Sequence, residues 1–388
     1  MKRIGESKML FAVVFFAILI VLGYGAGRNI YEYKVNGKSD ANYEYIGNAT
    51  GDFATEFSAN FPYKTGFVDM NGFARRIIGE REMNQVLKLN NGYLTQAGPV
   101  MKPECIEANT NAIISFNNYC KEHGTLFVYV QPAYKISKYD PQLPTGVTDG
   151  HNETIDQILD RLAEADVPTI DLREEMHARG IDQYDLYYRT DHHWTTEGAF
   201  FAYKIIAEWI AEQTSAYLDP ALIDLDNYQI DKYYRWHLGM RGQRTGAAYA
   251  GIDDYDLIYP KFETHIQKRD DGTVLSLYDA LVKTEVFQKA NAQNRYTYDS
   301  AYSANNINNL VSLDAKSDLS VWLLSDSFQH AIKPYQLLTY RDFHIGKYDT
   351  LSTSFIRENT PDVVIMLPWP GYFYEEAVFT DFVDDAAN

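Results

Sequence analysis

The sequence predicts an α/β fold with a mainly parallel sheet between two helical layers, preceded by one N-terminal transmembrane helix. Short runs of β-branched and aromatic residues alternate with stretches in which apolar residues recur at helical spacing. This alternation is typical of strands that are buried on both faces and connected through helices. A separate, continuously uncharged stretch near the N-terminus predicts the membrane helix.

That uncharged stretch covers residues 9–27 and is rich in Phe, Val, Ile and Leu. Its length suits a helix that crosses a bilayer, which takes ~20 residues. Lys2, Arg3 and Lys8 precede it, so residues 1–8 are expected in the cytoplasm and the rest of the chain outside. A signal peptide has similar parts but a shorter apolar run of ~7–15 residues. Cleavage, which would leave a secreted chain, is the alternative to an uncleaved signal-anchor.

Beyond the apolar stretch, residues 28–56 read as a polar stalk and residues 57–388 as one large domain. The domain is expected to contain a loop-rich insertion at about 228–300, where Tyr and Gly are frequent. Helical spacing predicts helices near 66–87, 106–122, 153–165 and 196–213. Apolar runs predict strands at 92–94, 125–130, 167–172 and 362–367, and a strand–turn–helix unit opening at 321–328.

The charge of the chain excludes one class of partner. The chain has 388 residues, of which 53 are Asp or Glu and 35 are Lys or Arg, giving a formal net charge of −18. Nucleic-acid binding needs clustered basic residues, and no such run occurs. The same acidity favours a neutral or weakly charged polymer as a binding partner.

Cysteine and histidine spacing predicts neither a disulfide nor a structural metal site. The chain has two cysteines, Cys105 and Cys120, with a predicted helix between them. Fifteen helical residues span about 22 Å, whereas a disulfide needs Cα atoms within ~7 Å. No Cys/His spacing resembles a structural zinc site, and no cofactor is expected.

Ser327 is the first candidate for chemistry, because sites in parallel α/β sheets form where strands end. It follows the apolar run that begins at residue 321 and precedes a predicted helix. In that place the N–H groups of the helix terminus can stabilise an oxyanion, and a neighbouring base can activate the hydroxyl. The alternative is that Ser327 merely caps the helix.

Asp191 and His193 are the second candidate, in the segment DHHW (191–194) before the helix predicted at 196–213. In an extended segment, residues i and i+2 point to the same side. Asp191 would then orient His193 as the base, while His192 would point away and be structural or a donor to substrate. The alternative is two partly exposed histidines, with Asp191 or Thr195 capping the following helix.

Taken together, these motifs resemble the DHHW group of SGNH hydrolase-like proteins, which are related to the alginate O-acetyltransferase type (AlgX/AlgJ-like). The resemblance covers most of the chain after the apolar stretch. Its motifs are NFPYK (60–64), N-x-V (84–86), GYL (92–94), P-x-x-K with Tyr139 and LP (132–144), DHHW (191–194), HLGMRGQRTG (237–246), DSF (326–328) and KPYQ (333–336).

The resemblance implies a three-layer SGNH hydrolase-like fold with a Ser–His–Asp triad. The implied nucleophile is Ser327, with His193 as base and Asp191 as its orienter. Ser325 stands where the family has glycine, which leaves it as a second, weaker nucleophile candidate. No equivalent of the SGNH oxyanion Asn is visible, so the oxyanion hole is assigned to the Ser327 N–H, together with Gly239 or a nearby side chain. Three further residues are candidates to line the site, with surface charge and packing as their alternative roles: Arg189, Arg241 and Tyr335.

The function that the resemblance implies is O-acetyl transfer to, or removal from, a cell-surface or exported polysaccharide. A membrane-bound O-acyltransferase is the implied partner that supplies acyl groups across the bilayer. One alternative is a non-catalytic glycan-binding or assembly subunit that retains the fold. Another is a metal-dependent phosphoesterase of the type that carries a DHH motif, but such enzymes need several further Asp and His ligands that no nearby cluster supplies.

Overall fold

The computed structural model describes residues 2–36, 64–288, 297–303, 306–348 and 352–371. The chain divides into two compact units, Met1–Ala74 and Arg75–Asn388. Most of the predicted stalk, and the first four residues of the NFPYK motif, lie outside the described residues.

The first unit contains one long helix, α1, which covers Lys2–Asn36. Within it, Phe11–Arg28 has a mean hydropathy of 2.0 and is long and apolar enough to cross a membrane. The same length and composition also suit a signal sequence near an N-terminus. A second helix, α2, begins at Lys64 and ends at Ile77.

The remaining helices lie in the second unit. They are α3 Pro103–Glu122, α4 His151–Glu164, α5 Leu172–Ala178, α6 Thr196–Thr214, α7 Met240–Thr245, α8 Ala247–Ala250, α9 Leu277–Leu281, α10 Glu285–Gln288, α11 Thr297–Ser300, α12 Gln329–Thr339 and α13 Thr353–Asn359. Short 3₁₀ helices cover Gln183–Leu186, Pro220–Ile223, Leu225–Asn227 and Ile307–Asn309.

The strands are β1 Glu82–Met83, β2 Val86–Lys88, β3 Leu94–Thr95, β4 Leu126–Gln131, β5 Thr169–Asp171, β6 Tyr228–His237, β7 Asp253–Pro260, β8 Ile266–Lys268, β9 Val274–Leu275, β10 Leu310–Ser312, β11 Ser317–Ser325, β12 Tyr340–Gly346 and β13 Val363–Leu367.

The centre of the second unit is a five-stranded sheet with the order β12-β11-β13-β4-β5, and every pair in it is parallel. Alternate residues of β13 enter two different apolar clusters: Val363, Ile365 and Leu367 face the side of α6 and α12, whereas Val364 and Met366 face the side of α3 and α4. Because a strand points successive side chains to opposite faces, the sheet is buried between two helical layers. The predicted three-layer α/β fold is therefore confirmed.

One predicted helix, at 66–87, ends too late. Helix α2 ends at Ile77, and Gly79 adopts a positive φ of 74° that stops a right-handed helix. Residues 82–88 instead form an antiparallel hairpin of β1 and β2, whose turn residues Asn84 and Gln85 have φ of 53° and 61°. Paired positive φ values are typical of the two-residue turns that suit the twist of a hairpin.

Between α6 and β10 the chain leaves the central sheet. Strands β6 and β7 form an antiparallel ribbon, and their connection contains α7 and α8. The ribbon changes register between Tyr233 and His237, and Arg235 there has a φ of 52°. This irregularity is a bulge, which re-aims the residues that follow it. Residues 237–242 consequently approach the DHHW segment at the edge of the central sheet.

Candidate active site

Ser327 lies in the turn between β11 and α12, at the carboxyl edge of the central sheet, and is partly exposed. The turn is held by the carboxylate of Asp326. It accepts hydrogen bonds from the N–H of Phe328 at 2.9 Å, the N–H of Trp369 at 2.6 Å and the hydroxyl of Tyr348 at 2.9 Å. Since Trp369 follows β13, these bonds connect the turn to the end of the adjacent strand. The serine is therefore presented by a braced loop rather than by a free one.

Ser327, His193 and Asp191 form one continuous chain of hydrogen bonds. The Ser327 Oγ lies 2.6 Å from His193 Nε2, and His193 Nδ1 lies 3.0 Å from Asp191 Oδ1. Nδ1 can donate only if it carries the imidazole proton, so Nε2 is then free to accept the serine proton. The structure thus brings together the three residues that were predicted as a triad.

Burial keeps His193 in the form that a base requires. Only 4% of its surface is exposed, and desolvation, with the nearby His192, lowers its pKa to about 3 against the opposing effect of Asp191. The ring also stacks on Tyr298, with centroids 4.0 Å apart. Tyr298 is itself fixed, because its hydroxyl accepts a hydrogen bond from Trp194 Nε1 at 2.9 Å. The neutral imidazole is consequently held in one orientation.

The expected direction of His192 is wrong. The segment 189–193 is a bend rather than an extended strand. It turns around the Asp191 carboxylate, whose Oδ1 lies 2.6 Å from the His192 N–H and 2.9 Å from His192 Nδ1. The rings of His192 and His193 consequently lie on the same side, 3.8 Å apart. The i and i+2 rule fails here because it applies only to extended backbone.

Asp191 is buried and strongly hydrogen-bonded. Burial by itself would raise its pKa, but the electrostatic interaction with His193 and hydrogen bonds from His192, His193 and His237 outweigh burial and hold the pKa well below its usual range. An ionised carboxylate beside Nδ1 fixes the tautomer of His193 and stabilises the imidazolium that forms when a serine is deprotonated.

His237 is a contact of Asp191 that sequence reasoning did not single out. Its Nε2 lies 3.0 Å from Asp191 Oδ2, and only 1% of its surface is exposed. The N–H of Met240 also points to Oδ2, at 3.3 Å. The sequence did contain a signal for His237: it is the first residue of the Gly-rich block 237–246, one of the motifs that carry the family resemblance.

The assignment of Gly239 to the oxyanion hole is corrected. Its N–H donates to Thr190 Oγ1 at 2.9 Å and is therefore engaged. A Cβ on Gly239 would lie 2.3 Å from Asp191 Cβ and 2.5 Å from Asp191 Oδ2, closer than real Cβ contacts allow. Glycine at 239 therefore permits the chain to pass directly against Asp191.

The three candidate lining residues have other contacts. Tyr335 is buried in an aromatic group with Phe200 and Tyr228, with centroids 5.0 Å and 5.7 Å away, so packing is its role. Arg189 directs Nη2 to the Ile252 carbonyl at 3.4 Å. Arg241 is buried and donates to Gln96 Oε1 at 2.7 Å. None of these contacts involves Ser327.

The structure also shows which residues occupy the cap positions of helices α6 and α12. Thr195 is the cap of α6, since its hydroxyl accepts a hydrogen bond from the Gly198 N–H at 3.0 Å. The cap position of α12 is Phe328, and no side chain caps that helix. The Ser325 hydroxyl donates to the Leu367 carbonyl at 2.8 Å and is buried, which makes it a structural bond between β11 and β13.

A fully buried lysine lies behind this site. Lys135 donates to the Tyr188 carbonyl, and desolvation lowers its pKa to about 7 despite the opposing charges of Asp253 and Asp191. Its Nζ also lies 5.2 Å from the centre of the Tyr187 ring, within cation–π range. These contacts support the backbone that leads into the DHHW segment.

Asp191, His192 and His193 have the spacing of a possible metal-ligand group. Each offers one ligand atom, and these atoms lie within 4.8 Å of one another. Among the described residues, no other group of three His, Cys, Asp or Glu side chains has that spacing. Asp191 Oδ1 and His193 Nδ1 are engaged with each other, and Nε2 of His193 faces Ser327.

Part of this chain is similar to a known protein family. Residues 91–228 match the family model of the SGNH hydrolase-like domain, acetyltransferase AlgX. Over these residues the chain is similar to an SGNH hydrolase-like domain. This match confirms the resemblance predicted from the sequence, and no curated protein matches the chain significantly.

Solved structures share the fold of this chain. Bacillus cereus PatB1 is 22% identical, with a TM-score of 0.61 over 77% of this chain and 99% of that chain. PatB1 with a sulfonyl adduct is 21% identical, with a TM-score of 0.60 over 78% and 98%. A DHHW family protein from Eubacterium siraeum is 16% identical, with a TM-score of 0.55 over 77% and 95%.

Proposed function

We propose that this chain is a membrane-anchored, extracytoplasmic serine O-acyltransferase or esterase, with acetyl as the acyl group and a cell-surface or exported polysaccharide as the substrate. The observation that carries the proposal is the hydrogen-bond chain from Ser327 through His193 to Asp191 at the carboxyl edge of the sheet. The match of residues 91–228 to an acetyltransferase family model supports the reaction class.

In the first half of the proposed reaction, His193 Nε2 takes the proton of Ser327 Oγ. The oxygen attacks the acyl carbonyl, and the carbonyl oxygen becomes an oxyanion. The leaving alcohol then takes the proton from His193, so that an acyl-serine remains. Within the described part of the chain no acceptor engages the Ser327 N–H, which leaves it able to donate to the oxyanion.

In the second half, His193 takes the proton of an incoming hydroxyl, which attacks the acyl-serine and releases Ser327. A glycan hydroxyl gives transfer and water gives hydrolysis. The balance between the two depends on whether the acceptor excludes water from the acyl-serine. Asp191 remains ionised throughout and stabilises the transient imidazolium.

The proposed anchor is Phe11–Arg28, which keeps the domain beside the membrane. A membrane-bound O-acyltransferase partner would deliver acyl groups at that surface. The overall charge of −18 suits a neutral or weakly charged glycan, because a strongly anionic polymer would be repelled.

The test replaces Ser327 with alanine and measures hydrolysis of a small acetyl ester and acetylation of the cell-surface glycan. Ser327→Ala is expected to lower kcat by a factor of roughly 10⁴ or more, since the nucleophile acts with its base as a unit. Ser325→Ala is the matched control, because it removes a neighbouring buried hydroxyl that does not touch His193. Unchanged glycan acetylation in the Ser327 variant would instead support a non-catalytic glycan-binding subunit.

A further inference from the structure

The two oxygens of the Asp191 carboxylate serve different partners. Oδ1 is engaged by the DHHW segment itself, through the His192 N–H, His192 Nδ1 and His193 Nδ1. Oδ2 is engaged from a distant part of the sequence, by His237 Nε2 and the Met240 N–H. The segment 237–240, here termed the Asp191 clamp, therefore holds the side of the carboxylate that His193 does not use.

We propose that the Asp191 clamp positions the catalytic base, and that His237 is its principal positioning residue. This inference rests on the proposed function, since it concerns the same triad. His237 touches neither Ser327 nor the space beside it; it acts through Asp191, which it holds so that Oδ1 faces His193 Nδ1.

The physical need for such a clamp comes from the aspartate side chain. The terminal torsion of Asp has broad, nearly two-fold preferences, so the carboxylate can turn unless both oxygens are engaged. A donor to Oδ2 removes that freedom. The His237 ring is suited to this because it is almost fully buried and packs against Tyr188, with centroids 4.7 Å apart.

The clamp is itself fixed to the segment that it serves. His237 pairs with Asp253 in the β6–β7 ribbon, and the Asp253 carboxylate accepts bonds from the N–H and the hydroxyl of Thr190 at 2.8 Å and 2.6 Å. The Gly239 N–H donates back to Thr190 Oγ1 at 2.9 Å. Because Thr190 immediately precedes Asp191, the clamp and the aspartate cannot move independently.

The backbone at Gly239 passes directly against Asp191, and this close approach is a second, independent observation that supports the clamp. Its missing side chain lets the backbone pass within contact of Asp191, where a Cβ would meet Asp191 atoms at 2.3–2.6 Å. This approach brings the next N–H, that of Met240, to Oδ2. The contact geometry of the clamp thus depends on a glycine at this one place.

The charged and titratable groups around Asp191 determine how loss of the clamp changes the pH profile of kcat/KM. Those in contact or in electrostatic range are His192, His193, His237, Lys135, Arg241, Asp299, Tyr188 and Tyr298. If Oδ2 loses the His237 donor, the carboxylate can turn away from His193 Nδ1 and stabilises the imidazolium less. The pKa of His193 then falls, and the acid limb of kcat/KM moves to lower pH.

The experiment compares three variants of the full chain with p-nitrophenyl acetate as the probe. His237→Met keeps the approximate volume but removes the donor, whereas His237→Gln places an amide N–H near the position of Nε2. His151→Met is the matched control, because His151 is equally buried but bonds to Asp149 rather than to Asp191. Circular dichroism melting reports whether each variant is folded.

We expect His237→Met to lower kcat about tenfold or more with KM within about twofold, and to move the acid limb to lower pH. His237→Gln is expected to recover much of kcat and to return the acid limb. A folded His237→Met variant with the kcat and acid limb of the parent overturns the clamp, provided that Ser327→Ala is inactive. An active Ser327→Ala overturns the proposed function itself. If His151→Met shifts the acid limb equally, the effect is general to buried histidines and the clamp is also overturned.

Discussion

At the scale of single residues, the proposed reaction depends on a histidine that is buried and yet must accept a proton. His193 sits between the Ser327 hydroxyl and the Asp191 carboxylate, and its ring is covered by Tyr298. Burial opposes the imidazolium and Asp191 favours it, and burial is the larger effect in the resting state. A low resting pKa keeps His193 deprotonated and competent as a base over a wide range of pH.

This balance predicts the pH dependence of the reaction. A base with a lowered pKa stays active as the pH falls below 6.5 and loses activity only as the pH approaches that lowered pKa, which is about 3. We therefore expect the acid limb of kcat/KM for acetyl-ester hydrolysis to lie clearly below pH 6.5. The measurement needs a parallel check by circular dichroism that the chain remains folded. An acid limb at or above pH 6.5 would show that His193 is not desolvated in solution.

At the scale of elements, the strand–turn–helix unit of β11 and α12 presents the serine. Strand β11 is an interior strand of the sheet, with β12 and β13 on either side, so its end is fixed by two neighbours. The turn that follows is braced by Asp326, which connects it to the residue after β13. A nucleophile on such a turn loses little entropy when it attacks, because its position is set before substrate arrives.

Removal of this brace is expected to affect both stability and catalysis. Asp326→Ala deletes the acceptor of three hydrogen bonds at the turn. We expect a loss of about 1–3 kcal/mol in the free energy of unfolding, because three partly buried hydrogen bonds are lost together, and we also expect a lower kcat. Urea denaturation and ester hydrolysis measure the two effects.

The matched control for this prediction is Asp362→Ala. The Asp362 carboxylate accepts a hydrogen bond from the Ser320 N–H of β11 at 2.8 Å. Its loss therefore also removes a hydrogen bond to β11, but several residues before the turn. Its kcat should equal that of the parent chain. If the folded Asp326 variant keeps the parent kcat while being destabilised, the turn does not need its brace for catalysis.

At the scale of the whole molecule, an apolar helix and an acidic domain occur in one chain. Phe11–Arg28 suits a membrane span, whereas all the acidic residues that give the chain its net charge of −18 lie outside it. If the helix is retained as an anchor, the domain works at the membrane surface; if it is cleaved, the domain diffuses away. The proposed partner, which delivers acyl groups at the membrane, requires the first arrangement.

The proposed anchor predicts that the exported protein keeps its N-terminal segment and stays with the membrane after alkaline carbonate extraction. Mass spectrometry of the extracted protein should find the peptide that contains residues 9–27. Replacement of Ile18 and Leu19 by Asp should abolish membrane retention, since a charge at the bilayer centre costs ~2.5–3.5 kcal/mol per residue. Recovery of a soluble chain that lacks the apolar stretch would instead indicate cleavage.

Much of the fold was predictable because its signals are local. The strand at 363–367 and all but the last residue of the strand at 126–131 are short apolar runs, and α3, α4 and α6 have apolar residues at helical spacing. The helix predicted at 66–87 extended too far because periodicity continued past Gly79, whose positive φ ends it. Ser327, His193 and Asp191 were also predictable, because each lies in a motif next to the end of a strand or the start of a helix.

By itself, the sequence determined the alternation of strands and helices, the apolar N-terminal stretch, and the three residues expected to act together. Only the tertiary structure decided how Asp191 is held. His237 lies 46 residues from Asp191 and reaches it only through a bulge in the β6–β7 ribbon. The direction of His192 and the engaged N–H of Gly239 were decided in the same way. Spacing along a chain predicts which residues share a face of one element, whereas contacts between distant segments depend on bends and bulges that packing selects.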